Sequence, residues 1–133
     1  MNVLFVCTGN INRSAIAEAI LKEKWEGGVK SCGTGKTALK NAKAAARMRR
    51  SAGRFGYPLE HHRSQPITEE LCDWADIIVA MGNPHTKWVR ENSPDNMDKV
   101  QQWDIPDPHF DRDPEACDKC LIAIRDKIHE VTS

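Results

Sequence analysis

Cys7 and Arg13, with five residues between them in Val3-Leu4-Phe5-Val6-Cys7-Thr8-Gly9-Asn10-Ile11-Asn12-Arg13-Ser14, are the two side chains best suited to chemistry on an anion. A thiolate is a strong nucleophile. The guanidinium is a planar fork that matches two oxygens of one phosphoryl group. A loop curled around a single phosphate sets the sulfur below phosphorus and the fork beside it, with Thr8, Gly9, Asn10, Ile11, Asn12 and Arg13 forming the cradle. Ser14 offers a hydroxyl to hold the thiolate, and Gly9 and Asn10 tolerate the positive φ that such a curl demands. The spacing alone is a weak signal, because a cysteine closing a buried strand is commonly just a small core residue. The flanking elements decide its weight.

Val3 to Val6 reads as a buried strand that delivers the thiol to the loop. Residues 15–24, Ala-Ile-Ala-Glu-Ala-Ile-Leu-Lys-Glu-Lys, are strong helix formers with Ile16, Ala19 and Ile20 on one face. The loop therefore joins the carboxyl end of a strand to the amino end of a helix. Unpaired amides of a first helical turn and the helix dipole make such a junction an anion site.

Strands and helices alternate along the rest of the chain. Gly27-Gly28 closes the first helix, and residues 29–34 read as a second strand. A basic amphipathic helix is expected over residues 38–54, a short helix over 67–74, a buried strand over 75–81, a helix over 85–91 and a last strand over 99–103. Pro114 opens a closing helix whose Ala116, Leu121, Ile124 and Ile128 face the sheet. The pattern implies an α/β three-layer sandwich, a central four-stranded parallel sheet with helices on both faces, in a single domain spanning residues 1–133. After the last strand comes Asp104-Ile105-Pro106-Asp107-Pro108-His109-Phe110. Two prolines stiffen that segment, so a carboxyl on it is held at the sheet edge where Cys7 stands. Such an acid can protonate the oxygen that leaves when phosphorus is transferred to sulfur.

Lys plus Arg equals Asp plus Glu at 19 each, which gives no basis for a nucleic acid or a membrane as partner. The distribution is uneven. Between Gly27 and Leu59 there are eight basic residues and no acidic one, whereas Glu91 to Asp118 holds nine acidic residues against Lys99 and Arg112. Five cysteines, an odd number, argue against a disulfide scaffold and for a reducing compartment, the cytoplasm. Cys117 and Cys120 have no second pair or neighbouring histidine at ligand spacing and read as packing residues, like Cys32 and Cys72. Neither a metal nor another cofactor is expected, and the protein is expected to be a monomer. Gly33-Thr34-Gly35-Lys36-Thr37 looks like the end of a nucleotide-binding loop, but Lys30 stands where that motif needs glycine, so it reads as a strand-to-helix turn.

The opening segment through Ala15-Ile16-Ala17-Glu18-Ala19 resembles the amino-terminal signature of the low-molecular-weight protein tyrosine phosphatases, and later segments resemble that family in order over nearly the whole chain. The resemblance implies a phosphomonoester hydrolase acting on phosphorylated proteins, with Cys7 as the phosphorylated nucleophile and Arg13 holding the phosphoryl oxygens. By the same resemblance Ser14 supports the thiolate, Asn10 shapes the loop and Asp107 is the general acid, leaving Asp104 as a loop cap or electrostatic neighbour. His62, with His61 as the fallback, matches the histidine that braces the loop. His109 and Phe110 stand where relatives carry aromatic residues beside the leaving group.

The chain also departs from the family pattern. No aromatic residue occurs in Gly35-Lys36-Thr37-Ala38-Leu39-Lys40, where one wall of the substrate slot is expected. Asn12 replaces a cysteine and Ala15 a proline, and Gly82 replaces an aspartate. Asn-Ile-Asn-Arg-Ser is similar to the loop of serine phosphatases that act on the RNA polymerase II tail, which keeps phosphoserine, phosphothreonine or a small phosphoester as the alternative substrate. An arsenate reductase would need relay cysteines, but Met81-Gly82-Asn83 occupies the place of one. A module that only binds phosphate would need neither a nucleophile nor an acid.

Overall fold

Residues 1–132 are described by the structure, a computed structural model. Strands β1 (Val3–Cys7), β2 (Val29–Gly33), β3 (Ile77–Ala80) and β4 (Val100–Gln102) form an all-parallel sheet in the order β2-β1-β3-β4. The helices are α1 (Arg13–Lys22), α2 (Ala46–Phe55), α3 (Glu69–Trp74), α4 (Asn83–Asn92) and α5 (Ala116–Thr132).

All five residues of β1 are buried, and their two-residue alternation divides the core. Val3, Phe5 and Cys7 join a cluster with Ile16, Ile20, Met48, Leu121, Ile124 and Ile128, from α1, α2 and α5. Leu4 and Val6 join Cys72, Ile78 and Val89 on the face covered by α3 and α4. The expected three-layer sandwich is therefore observed. Strand order reverses on either side of β1, since the chain leaves it first for β2 and later returns to its other edge with β3. That reversal opens a crevice at the carboxyl ends of β1 and β3, where open α/β sheets bind ligands.

The expected helix over 38–54 is not continuous. A 3-10 turn covers Lys36–Lys40, Asn41 takes a left-handed conformation with φ 50°, and α2 starts only at Ala46. The backbone between them is committed elsewhere: Ala45 N donates to Ile11 O at 2.9 Å, Ala42 N to Ser64 Oγ at 2.8 Å, and Ser64 N to Ala42 O at 2.7 Å. A stretch of alanines that favours helix by propensity is thus used to tie the Cys7 loop to the 61–65 connection. Helix α5 starts at Ala116 rather than Pro114, because the Asp111 and Asp113 carboxylates accept from the amides of Asp113 and Glu115 and shape turns there. Thr68 caps α3, its Oγ1 accepting from Leu71 N at 3.1 Å, with Glu69 and Glu70 in the first turn.

Candidate active site

Cys7 ends β1, and the chain then turns so sharply that Asn10 adopts φ 57° before α1 starts at Arg13. Asn10 is fully buried and all three of its side-chain hydrogen-bonding groups are used. Oδ1 accepts from Gln65 N at 2.9 Å, and Nδ2 donates to Ser14 Oγ at 2.8 Å and to Ser31 Oγ at 2.9 Å. The Ser31 hydroxyl donates in turn to the Glu18 carboxylate, which can only accept. These directions propagate: Ser14 Oγ receives the Asn10 proton, so its own hydrogen is free for Cys7 Sγ at 2.9 Å or the Cys32 carbonyl at 3.3 Å. Asn10 N adds a second donor to the sulfur at 3.3 Å. Both donors are thus aimed at the sulfur.

His62, not His61, reaches this loop, its Nε2 donating to Asn10 O at 2.6 Å. Gly33, at the end of β2, lies against it too; a Cβ there would overlap the Thr8 carbonyl. Among the described residues the amide N–H groups of Gly9, Ile11 and Asn12 have no protein acceptor, leaving them available to an anion. Asn12 Oδ1 is buried without a partner among those residues.

Arg13 is buried, with 6% of its surface exposed. Its Nη1 donates to Ile105 O at 3.0 Å, and its Nη2 lies 3.5 Å from Thr8 Oγ1 and 3.4 Å from Asp107 Oδ2. Cys7 and Arg13 of the loop and Asp107, 94 residues beyond Arg13, border a single cavity of about 210 Å³. Thr8, Gly9, Ile11 and Asn12 contribute its loop side, Thr37 a wall, and His109 and Phe110 another, while the expected cradle residue Asn10 is buried behind the loop and does not line it. His109 and Phe110 contact edge to face at 4.4 Å, and Phe110 is 89% exposed. Asp104 lies outside this group, with φ 48° and its carboxylate accepting from Gln102 Nε2. A larger cavity of about 310 Å³, between α1 and the 58–65 connection, contains no cysteine.

Sequence reasoning missed two residues of the site. Thr37 takes the wall where an aromatic was sought. His85, in the first turn of α4, places Nε2 2.9 Å from Thr8 Oγ1 and is 1% exposed. Burial, with the Arg13 guanidinium nearby, lowers its pKa to about 4, so the ring is neutral at pH 7. The available signal was the Gly82-Asn83-Pro84 turn at the end of the most apolar strand, which carries the next buried polar residue to the crevice. The other four cysteines are buried and unpaired. Burial pushes the Cys120 thiol up to about 12 and raises that of Cys32 as well, consistent with packing roles. Among the described residues no cluster of three or more His, Cys, Asp or Glu is arranged to hold a metal ion.

A thiol flanked by donors, a buried guanidinium and a carboxyl across one cavity is the equipment for phosphoryl transfer. Residues 2–132 match the family described as low molecular weight phosphotyrosine protein phosphatase. The chain belongs to that family. Its members are cysteine-dependent phosphatases. This phosphatase is 35% identical over 115 residues to the low molecular weight protein-tyrosine-phosphatase Etp of Escherichia coli (strain K12), covering 81% of this chain and 77% of that one. It is 36% identical over 105 residues to the protein-arginine-phosphatase of Bacillus subtilis (strain 168), covering 75% and 68%. Among solved structures, Vibrio vulnificus Wzb in complex with benzylphosphonate superposes with a TM-score of 0.88 at 26% identity, over 98% of this chain and 95% of that one.

Proposed function

We propose that this phosphatase hydrolyses phosphotyrosine in proteins through a phosphocysteine on Cys7, with Arg13 as phosphoryl-binding cation and Asp107 as general acid. The observation that carries this reading is the buried Arg13 fork, which opens the same cavity as the Ser14-bound sulfur and lies 3.4 Å from the Asp107 carboxyl. In the first step the Cys7 thiolate attacks phosphorus, the P–O bond to the tyrosyl oxygen breaks, and Asp107 hands its proton to that oxygen. In the second, ionised Asp107 takes a proton from water, the hydroxide attacks phosphorus, and the P–S bond breaks to release phosphate and restore the thiolate. Arg13 and the free loop amides hold the non-bridging oxygens in both steps, where fixed donors lower the barrier most. Asn10, Ser14 and His62 hold the loop in shape. The reading extends to one catalytic domain over residues 1–133, working in the cytoplasm as a monomer without metal.

A second substrate is raised by the likeness to the protein-arginine-phosphatase: a phosphorylated guanidine in place of an aryl ester. Ile11 and Phe110 beside the cavity present apolar surface, which suits a flat aromatic ring better than a charged guanidine. Thr37, short where an aromatic wall was expected, leaves that ring to be gripped from the Phe110 side. Steady-state kinetics on matched peptides carrying phosphotyrosine, phosphoserine or phosphoarginine test the choice. The phosphotyrosine peptide is expected to have the highest kcat/KM; a preference for either of the others would replace this substrate assignment. No helix among the described residues is long and apolar enough to cross a membrane.

A further inference from the structure

The segment that carries Asp107 has an anchor that the proposed chemistry does not use. Residues 106–115, between Ile105 and the start of α5, contain no helix or strand. Four hydrogen bonds lie within this segment: His109 N to Asp107 Oδ1, Asp111 N to Pro108 O, and the two aspartate turns before Ala116. Such bonds shape the segment without fixing it to the sheet. Three side chains outside it reach in. Arg13 touches Asp107, and Lys119 pairs with Asp113 at the exposed far end.

The third is Arg47 of α2, and it makes the most contacts. Its Nη1 donates to Asp111 O at 3.0 Å and lies 3.4 Å from Pro108 O, while Nη2 donates to Asp113 O at 2.9 Å. One planar fork thus gathers three backbone carbonyls, the first of them on the residue that follows Asp107. Pro108 itself is buried, and Arg47, Pro108 and Cys117 border a small cavity next to Asn12. A lysine, with a single point charge, cannot span three acceptors in this way.

We propose that Arg47 is a positioning residue for the general acid, fixing where the Asp107 carboxyl stands over Cys7; this rests on the assignment of Asp107 above. The two arginines divide the work in time. The Arg13 fork holds both the Ile105 carbonyl and the Asp107 carboxyl. When the phosphoryl group arrives, its oxygens compete for the Nη2 that Asp107 occupies. From that moment the outside tie nearest Asp107 is Arg47. A general acid displaced by even about 1 Å loses much of its effect, and the loss falls on substrates whose leaving oxygen most needs a proton.

The test compares Arg47→Met, Arg47→Lys, Asp107→Asn and the double variant Arg47→Met/Asp107→Asn on two substrates. Phenyl phosphate has a poor leaving group, and p-nitrophenyl phosphate has one that departs readily without a proton. Arg47→Met is expected to lower kcat/KM for phenyl phosphate by about 10-fold or more, to lower it far less for p-nitrophenyl phosphate, and to leave competitive inhibition by inorganic phosphate unchanged. Arg47→Lys is expected to recover part of the loss, and it serves in place of Arg47→Met if that variant does not give a folded melting transition. In the Asp107→Asn background, Arg47→Met is expected to cost nothing further. An equal loss on both substrates, or a loss that multiplies with that of Asp107→Asn, makes Arg47 merely structural and overturns the proposal while the acid assignment stands. If Asp107→Asn is itself without effect on phenyl phosphate, the acid assignment falls instead.

Discussion

The phosphate loop, residues 7–14, and the acid segment, residues 104–115, meet at one cavity but are held by opposite means. In the loop Cys7, Asn10, Asn12, Arg13 and Ser14 are all buried, and the Asn10 side chain has no hydrogen-bonding group to spare. In the acid segment the Asp107 side chain is 42% exposed, Phe110 stands in solvent, and the backbone is tied down mainly by arginine side chains. The nucleophile and anion site are thus fixed before substrate arrives. The acid is imported from the far end of the chain on a segment whose position depends on a few contacts. Damage to the first region is expected to affect every phosphoester alike, whereas damage to the second is graded by leaving group.

Four perturbations break or sharpen that contrast. Cys7→Ser removes the nucleophile and is expected to abolish turnover of phenyl and p-nitrophenyl phosphates equally in a steady-state assay. Asp107→Asn is expected to slow phenyl phosphate by about 10²–10⁴-fold, the range for a lost general acid, with a much smaller effect on p-nitrophenyl phosphate. Equal losses would erase the distinction between the two regions. Asn10→Ala strips the loop of its central amide and leaves a Cβ-bearing residue at positive φ without local compensation. The expected cost is about 3 kcal/mol in a urea melt, from buried partners left unpaired and left-handed strain, with activity falling on both substrates.

His85 supplies the smallest and most specific effect. Its folded-state pKa of about 4 lies below the value of 6.5 for an unperturbed histidine, so the unfolded chain binds the proton more readily. Stability from this residue is complete above pH 6.5 and is lost as pH falls toward 4. Between pH 7 and 4.5 the native protein is expected to lose roughly 2 kcal/mol more than His85→Gln in parallel urea melts. Equal losses would remove His85 from the set of neutral buried groups that support Thr8.

Much of the phosphate loop was legible in the sequence because its parts are contiguous. Strand, turn and helix each have local signals, and Gly9 and Asn10 mark the bend, which falls on Asn10. The sheet was legible for the same reason, down to β3, whose apolar run stands out. Tertiary commitments were not legible. The alanine-rich stretch before α2 reads as helix, yet the amides of Ala42 and Ala45 bind Ser64 and Ile11, partners that no local pattern reveals. Thr37, His85 and Arg47 carry no sequence mark of their own, since each gains its meaning from a residue far along the chain. The resemblance ranked His62 ahead of His61, and it is His62 whose Nε2 lies against the Asn10 carbonyl.

The central claim, covalent transfer of phosphorus to Cys7, is tested most directly by trapping. The Asp107→Asn variant, slowed in releasing phosphate, is mixed rapidly with excess p-nitrophenyl phosphate, quenched in acid and digested for peptide mass analysis. The account predicts a phosphoryl group on the peptide containing Cys7, with a phosphorus resonance typical of a P–S bond, and none in the same variant carrying Cys7→Ser. A burst of nitrophenol with no phosphoryl group on that peptide, or with one on a different residue, would contradict it.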